Sequence, residues 1–374
     1  MLRIDQIELY RFSIPFATPV KVGRDYLHYR DGLLVILTDH GGRCGYGEIA
    51  PLPGFEQTTL ERCLQDIPSI KSGLNRTSLN CYRFQLTTPL LGITETAASS
   101  WTAHTLFGVE SALLGLYLQH LDNGSAKSLF PDDPLMIPVN ALFVPELSGD
   151  KLDIQIKNLK QSGAATIKIK IGRLPEDEEI RQILRLADQM GTEITLRLDG
   201  NRNLIPASYR RYYEALSHLD VEYVEEPLPA DEPLTAGDVP WPLALDESLS
   251  LFLDPEEPEF SSLHKAVRTV ILKPGLLAGL HAMGRAINNA KQAGIRTVLS
   301  STYNTGITLA VLGILSRLSL IPSETAHGLD TLKYLACDLL LPSPVIKRGM
   351  LTVPRELLFG GAKINEKCIG EKIL

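Results

Sequence analysis

Regular alternation of strand and helix patterns dominates the chain from about residue 137 to residue 301. The candidate strands are 137–143, 165–171, 193–199, 221–225, 243–246, 269–273 and 296–301. Between several of them lies a helical pattern, and Gly163, Gly191 and Gly294 each close a helix shortly before the next strand. Seven or eight such units over roughly 200 residues fit a TIM-type barrel. The alternative is an open doubly wound sheet, but no Gly-rich phosphate loop follows the first strand.

The part of the chain before this alternation has a different pattern. The first 50 or so residues predict β-structure, with a hairpin turn at residues 39–42. A helix is predicted over residues 105–121, where apolar side chains recur at helical spacing. The stretch 125–134 contains two prolines and paired aspartates, so it is interpreted as a linker.

Charge and composition exclude several classes of protein. Lys and Arg number 37 against 44 Asp and Glu, a net charge of −7, and no basic run indicates a nucleic-acid surface. The N-terminus carries charges where a signal peptide needs an apolar stretch, and no apolar run approaches the ~18–20 residues of a membrane span. We therefore expect a cytoplasmic protein with free thiols, because its cysteines are odd in number, far apart and without a CxxC pair: Cys44, Cys63, Cys81, Cys337 and Cys368.

Five polar residues each stand at the end of a predicted strand. They are Lys170, Asp199, Glu225, Asp246 and Lys273. In a parallel barrel, neighbouring strands lie ~4.8 Å apart and active sites gather at their C-terminal ends. The three carboxylates end successive strands and are expected to converge on one point.

Three crowded carboxylates raise one another's pKa and cannot all stay ionised without a cation. A site of oxygen ligands without a nearby His or Cys favours a hard ion, so Mg²⁺ is the first choice and Mn²⁺ is possible. The alternative is a set of capping or loop acids in solvent.

Three lysines and one arginine are predicted to lie at the same cavity. Lys168 and Lys170 share one face of their strand because side chains alternate with period two; the alternative is a solvated edge strand. A lysine close to another cation has its pKa lowered, towards the range of a general base. Lys273 would face the cavity from the opposite side, or be a turn lysine before Pro274. Arg197 stands beside Asp199 as a substrate anion contact or as a buried partner for a carboxylate.

A cation among carboxylates with flanking lysines suits the removal of a proton α to a carboxylate. The extra negative charge that develops is stabilised by the ion, and a lysine acts as the base.

These motifs resemble those of the enolase superfamily along essentially the whole chain. The matching segments are Lys168-Ile169-Lys170, Asp199-Gly200-Asn201, Glu225-Glu226-Pro227, Asp246-Glu247-Ser248 and Lys273-Pro274-Gly275. The resemblance implies an α/β fold, a modified (β/α)7β barrel of residues 131–335. It also implies an α+β capping domain, formed by residues 1–130 and by a C-terminal tail, 336–374, that returns to it.

Within that superfamily the chain is similar to the o-succinylbenzoate synthase family. The supporting stretches are residues 45–55 and 300–303. The similarity implies a Mg²⁺-dependent lyase that dehydrates a small carboxylate, a succinyl-hydroxycyclohexadiene carboxylate, in menaquinone or phylloquinone synthesis. Lys170 would remove the proton and protonate the departing hydroxide, and Lys273 would steady the enediolate. The expected substrate contacts are Arg197, Asn201, Ser300, Ser301 and Thr302.

Two further implications of this similarity concern the edge of the cavity. Residues 48–55 would close over it. The family often has a glutamate after the serines of the seventh strand, where this chain has Asn304.

Other activities remain open. N-succinylamino acid racemase, dipeptide epimerase and muconate cycloisomerase are sister activities, and racemisation needs a base on each face of the substrate carbon. A barrel that binds a carboxylate without turnover is the alternative from another class, although a binder needs no general base. The sequence leaves the oligomeric state open.

Overall fold

The computed structural model describes most of the 374-residue chain. The described residues are 2–23, 25–74, 78–79, 100–131, 134–147, 149–229, 240–254, 258–260, 263–319 and 321–374. Cys81 lies outside them. Among the helices of these ranges, none has the length and apolar character needed to span a bilayer.

The N-terminal part folds as an antiparallel sheet with helices packed on it. Its strands are β1 (Leu2–Val22), β2 (Asp25–Asp39), β3 (Cys44–Ile49) and the short β4 (Ser78–Leu79). The helices are α1 (Leu60–Leu64), α2 (Ile67–Leu74), α3 (Ala103–Gln119) and α4 (Asn123–Leu129). The predicted hairpin and the helix over 105–121 are confirmed. The predicted linker is wrong for residues 125–129, which belong to α4, a helix that Asp122 caps by accepting a hydrogen bond from the backbone N–H of Ser125.

Two glycines let β3 lie directly on α3. A Cβ added to Gly45 would lie 1.9 Å from the carbonyl oxygen of Ala112, and one on Gly47 would lie 1.8 Å from that of Gly108. No side chain fits in this space, so these glycines set the distance between the sheet and the helix.

Seven parallel strands form the central sheet, in the order in which they follow one another along the chain. After β5 (Leu135–Pro138), they are β6 (Ala141–Phe143), β7 (Thr166–Lys170), β8 (Thr195–Asp199), β9 (Val221–Glu225), β10 (Leu243–Leu245), β11 (Val267–Leu272) and β12 (Arg296–Leu299). The helices are α5 (Gly149–Ser162), α6 (Glu176–Met190), α7 (Pro206–Leu216), α8 (Gly279–Gln292) and α9 (Gly306–Leu318), with 3-10 turns at Glu247–Leu251 and Leu332–Tyr334. Strand faces and helices enclose one large apolar core.

The sheet closes into a barrel through a short segment after α9. His327 pairs in parallel with Val139, and Gly328 pairs in parallel with Ser300, so this segment joins the first and last parts of the sheet. The prediction of a barrel rather than an open sheet is confirmed. The candidate strand 137–143 is divided, however, because β5 pairs with a later antiparallel strand and only β6 pairs with β7.

The C-terminal residues form short strands and one short helix. These are β13 (Leu340–Leu341), β14 (Val345–Lys347), β15 (Met350–Val353), α10 (Arg355–Phe359), β16 (Lys363–Ile364) and β17 (Ile369–Lys372). Strand β15 pairs with β5, and β17 pairs with β1, which brings the end of the chain against the N-terminal sheet. The expectation of free thiols is wrong for two cysteines: Cys337 and Cys368, 31 residues apart, form a disulfide, a pairing that the sequence spacing did not reveal.

The close approach of β3 and α3 predicts that Gly47→Ala lowers the free energy of unfolding by about 1–3 kcal/mol, because the new methyl group would force backbone apart. Gly149→Ala is the matched control, since a Cβ at Gly149 has no atom within 4 Å. Chemical denaturation of both variants measures the difference. Equal stabilities would contradict the close packing.

Candidate active site

The strand ends of the barrel bring charged side chains into one row. Across the parallel strands Lys168 lies opposite Arg197, Lys170 lies opposite Asp199, and Asp199 lies opposite Glu225. Because side chains alternate along a strand, this register directs the lysines of β7 and the acids that end β8 and β9 to one side of the sheet.

Ion pairs connect the predicted lysines to the predicted acids. The Nζ atom of Lys168 lies 2.8 Å from Asp199 Oδ2 and 2.7 Å from Glu225 Oε1. The Nζ atom of Lys170 lies 2.7 Å from Asp199 Oδ2, and Lys273 donates to Asp246. The pair of Lys273 and Asp246 is linked to the other four side chains by the charge of Asp246, which acts on Lys168, so all six form one charged cluster. All three acids are at most 3% exposed.

Burial and mutual repulsion shape the titration of the acids. Burial, together with the neighbouring Asp199 carboxylate, raises the pKa of Glu225 to about 8. Burial also raises the pKa of Asp246, although Lys273 opposes the shift. For Asp199, the two lysines outweigh burial and lower its pKa below the usual range. The lysines of the site therefore do not suffice to keep all of its acids ionised near neutral pH.

The lysine titration differs from the sequence-based expectation. Burial favours neutral amines, but the charges of Asp199, Glu225 and Asp246 raise the pKa of Lys168 well above its ordinary value. Asp246 likewise raises the pKa of Lys273 against the effect of burial. A neighbouring cation was expected to lower the pKa of a lysine here, but for these two the neighbouring carboxylates dominate.

The donor set fits a hard cation. Glu225 Oε2 and Glu247 Oε2 are buried and have no hydrogen-bond partner, so each is an oxygen available to a ligand. Lysine ammonium groups lie between the acids. Within the described ranges no three His, Cys, Asp or Glu side chains are grouped closely enough to hold a metal ion, so the expected convergence of the three carboxylates on one point is not observed in this structure. The residues that could hold a divalent ion are Asp199, Glu225, Asp246 and Glu247.

The backbone after β8 and β9 adopts a left-handed conformation. Asn201, Arg202 and Glu226 have φ values of 44°, 61° and 41°. Non-glycine residues in this region carry strain, which is concentrated at functional sites in proteins. In this backbone conformation, the Asn201 side chain lies beside Lys170, and Asn201 Oδ1 accepts a hydrogen bond of 2.7 Å from Lys170 Nζ. Asn201, which we expected to contact the substrate, lies against the proposed base.

Glu226 supports the turn that carries Asp246. Its Oε1 accepts hydrogen bonds from the backbone N–H groups of Asp246, at 2.8 Å, and Ser248, at 2.7 Å. Its Oε2 accepts from Ser248 Oγ at 2.6 Å. Sequence reasoning missed this role of Glu226. A signal for it existed, because successive side chains point to opposite faces, so only one of Glu225 and Glu226 can face the charged cluster.

Arg197 is a buried partner of a carboxylate, one of its two predicted roles. Its Nε lies 2.7 Å from Glu222 Oε2, and its Nη1 donates to the carbonyl oxygen of Ala326 at 2.6 Å. The guanidinium also lies 5.1 Å from the centre of the Tyr223 ring. These contacts hold Arg197 within the barrel, and a substrate contact by Arg197 stays a prediction.

The segment after β12 hydrogen-bonds within the protein. Ser300 Oγ donates to the Gly328 carbonyl at 3.3 Å, Ser301 Oγ lies 2.6 Å from Thr331 Oγ1, and Thr302 Oγ1 donates to Asn304 at 3.0 Å. A substrate contact by Ser300, Ser301 or Thr302 stays a prediction.

Asn304 faces an acid of the N-terminal sheet. Its Nδ2 donates to Glu48 Oε1 at 3.3 Å, and Glu48 Oε2 accepts from the hydroxyls of Thr305 and Thr308 at 2.8 and 2.5 Å. A glutamate at position 304 would place a second carboxylate against buried Glu48, so the asparagine suits this neighbour.

Residues 50–56, which we call the lid segment, lie next to Lys273. The Phe55 ring centre is 4.3 Å from Lys273 Nζ, a cation–π distance. At the other end of the segment, Arg30 donates to the carbonyl oxygen of Pro51 at 2.8 Å, to that of Ala50, and to that of Tyr303 at 3.2 Å. Sequence reasoning placed Phe55 here but missed Arg30, for which no local pattern exists.

The protein is a closed parallel (β/α) barrel with lysines and acids at the C-terminal ends of its strands, which is where barrels of this class carry their active sites. The sequence profile described as "Enolase C-terminal domain-like" matches residues 151–360, and the profile "MenC, N-terminal domain" matches residues 4–87. The chain therefore belongs to the enolase C-terminal domain-like family, and the prediction of the enolase superfamily is confirmed.

Curated relatives extend along most of the chain. The o-succinylbenzoate synthase of Vibrio cholerae is 28% identical over 341 residues, 90% of this chain and 92% of that protein. The protein of the same name from Aliivibrio fischeri is 26% identical over 331 residues, 87% of this chain and 90% of its own length. The similarity to this family that the motifs indicated is confirmed.

Solved structures share the fold. Muconate lactonizing enzyme from Pseudomonas fluorescens, complexed with muconolactone, superposes with a TM-score of 0.72 at 18% identity, covering 98% of each chain. Dipeptide epimerase from Methylococcus capsulatus, complexed with Mg and a dipeptide, gives a TM-score of 0.74 at 19% identity, covering 94% of this chain and 97% of the other.

The contacts of Glu226 predict that Glu226→Ala lowers the free energy of unfolding by about 2–4 kcal/mol, because it leaves buried donors at Asp246 and Ser248 without an acceptor. Exposed Glu324 provides the control, since Glu324→Ala should change stability by less than about 0.5 kcal/mol. Urea denaturation distinguishes the two. A loss at Glu226 no larger than at Glu324 would disprove the supporting role.

Proposed function

We propose that this chain is a lyase that dehydrates 2-succinyl-6-hydroxy-2,4-cyclohexadiene-1-carboxylate to o-succinylbenzoate. The observation that carries the proposal is the cluster in which Lys170 and Lys273 contact Asp199 and Asp246 at the ends of their strands. The two curated relatives described above bear the name of this activity. We assign the reaction to menaquinone or phylloquinone synthesis in the cytoplasm.

A divalent cation, Mg²⁺ or Mn²⁺, is part of the proposal. Asp199, Glu225 and Asp246 would hold it, and the unpartnered Glu225 Oε2 supports this assignment. When bound, the ion would stabilise the negative charge that develops on the substrate carboxylate as the α-proton leaves.

Lys170 is the proposed base. Its Nζ is fixed between Asp199 Oδ2 and Asn201 Oδ1, each at 2.7 Å. In its neutral form the amine takes the α-proton, and the resulting ammonium then gives that proton to the departing hydroxide, which leaves as water. The substrate ring becomes aromatic as the C–O bond breaks.

Lys273 is proposed to stabilise the same intermediate from the other side of the cavity. Its ammonium lies against the face of the Phe55 ring, which keeps water from that side of the amine. Asp246 raises the pKa of Lys273 against the effect of burial and so keeps the amine charged, which lets it attract the electron-rich ring of the intermediate.

Racemisation or epimerisation is the second candidate. Lysines from two different strands, β7 and the end of β11, contact the acid cluster, and proton transfer from one face of a carbon to the other needs two such groups. Dehydration needs only one of them.

The test is to incubate the purified protein with Mg²⁺ and the cyclohexadiene substrate and to follow the aromatic product by absorbance. Product formation that stops when the metal is chelated supports the proposal. Exchange of the α-proton of N-succinylamino acids in heavy water, with no dehydration, would assign the racemase activity instead.

Lys170→Ala is expected to lower kcat by about 10²–10⁴-fold, the usual contribution of a general base, while Mg²⁺ binding measured by calorimetry stays largely intact. Lys160→Ala on the exposed face of α5 is the control and should retain full activity. Activity of Lys170→Ala within about tenfold of the unchanged protein would place the base elsewhere.

Asp199→Asn is expected to weaken Mg²⁺ binding by at least about tenfold and to reduce the rate with it, because a charged ligand is lost. Calorimetric titration with Mg²⁺ measures this directly. Asp188→Asn on the exposed side of α6 serves as the control. An unchanged affinity for Mg²⁺ in Asp199→Asn would remove this residue from the metal site.

A further inference from the structure

We propose that His104 is a positioning residue that holds the lid segment closed over Lys273. This inference rests on the proposed function only in that the cavity beneath the lid segment is taken as the substrate site. The contact itself consists of Glu56 in the lid segment, His104 in α3 and Gly275 in the turn after Lys273. These residues come from three separate parts of the sequence.

The tip of the lid segment is attached to α3. The Nε2 atom of His104 donates a hydrogen bond to Glu56 Oε2. His104 is 1% exposed, and the Glu56 side chain is 16% exposed, so the contact is shielded from water. Glu56 Oε1 accepts a second hydrogen bond, of 3.0 Å, from the backbone N–H of Leu52. Glu56 therefore links two points of the lid segment, its own position and Leu52, and joins the segment to His104.

The same imidazole packs on the turn that follows Lys273. A Cβ added to Gly275 would lie 2.1 Å from His104 Nε2, which places the ring in direct contact with the glycine backbone. Gly275 has a φ of 83°, and the backbone N–H of Leu276 donates to the carbonyl of Lys273 at 3.2 Å. His104 thus contacts the turn that sets the direction of Lys273.

Helix α3 is itself fixed to the barrel. The buried carboxylate of Glu110 accepts hydrogen bonds from the backbone N–H groups of Leu280 and His281 at the start of α8. The N-terminus of a helix favours such an acid. His104, nearly two turns earlier in α3, is consequently held in place relative to Lys273.

Two adjacent lid residues therefore converge on one lysine. Phe55 covers the Lys273 ammonium directly, and Glu56 reaches the Lys273 turn through His104. Loss of the His104 contact leaves the segment held by Phe55 and by the Arg30 hydrogen bonds to Ala50 and Pro51. The lid segment then opens more often, and the amine of Lys273 becomes accessible to solvent.

Accessibility of the Lys273 amine to a small acylating reagent, acetic anhydride, tests this inference on the full chain. Mass spectrometry compares acetylation of Lys273 with that of Lys151, whose side chain is 68% exposed. His104→Ala is expected to raise the relative rate at Lys273 by about fivefold or more, since local opening controls access. His104→Gln keeps an N–H donor for Glu56 and should stay close to the unchanged protein.

A matched control exists at the other end of the same helix. His120, which follows α3, lies 2.6 Å from Asp39 through its Nε2, far along the helix from the lid segment. His120→Ala removes an equivalent histidine–carboxylate pair and should leave acetylation of Lys273 unchanged. Glu56→Ala removes the other half of the proposed contact and carries the test if His104→Ala does not fold.

The two single variants and their combination give the decisive pattern. If one contact is responsible, the double variant His104→Ala/Glu56→Ala exposes Lys273 no more than either single variant does. Activity provides a second readout, because kcat/KM should fall in His104→Ala and be restored in His104→Gln. Acetylation of Lys273 in His104→Ala and Glu56→Ala within about twofold of the unchanged protein would overturn the proposal.

Failure of this inference is distinguishable from failure of the proposed function, because acetylation requires no turnover. A protein that forms no o-succinylbenzoate but exposes Lys273 in His104→Ala loses the proposed reaction and keeps the positioning role. A protein that forms the product with unchanged acetylation in these variants keeps the reaction and loses that role.

Discussion

Electrostatic balance among buried acids and lysines is the constraint on which the rest of the structure depends. Asp199, Glu225 and Asp246 are almost completely removed from water, and each contacts a lysine ammonium. Isolated charges in such an environment would cost several kcal/mol each. The barrel meets this cost by placing acids and lysines on neighbouring strands in one register. The same concentration of oxygen atoms is what a divalent cation requires.

The remaining parts of the fold keep this cluster in place. Glu226 fixes the turn at Asp246, and left-handed backbone at Asn201 brings its side chain to Lys170. The N-terminal sheet contributes from outside the barrel, through Arg30 and Glu48, to the segment after β12. Strain and buried polar contacts thus lie around the charged cluster, where positional accuracy has the largest effect on chemistry.

The sequence predicted what depends on local periodicity and chain order. Strand ends and the common face of Lys168 and Lys170 follow from alternation within a few residues, so the barrel and the charged cluster could be predicted. Contacts between distant segments could not: Glu56 and His104 are 48 residues apart, and β5 pairs with β15 across most of the barrel. The 125–134 stretch misled because its prolines lie after the helix that Asp122 caps. Arg197 was ambiguous because an inward guanidinium can contact a ligand or pair with a buried acid, and only its partner Glu222, 25 residues further along the chain, shows the second role.

The most direct measurement of the central claim is the position of Mn²⁺ in crystals of the protein, located by its anomalous scattering. We expect one peak at the carboxyl ends of β8, β9 and β10, within about 2–2.5 Å of oxygen atoms from Asp199, Glu225 and Asp246. A peak bound by other residues, or no peak in the barrel at saturating Mn²⁺, would contradict it.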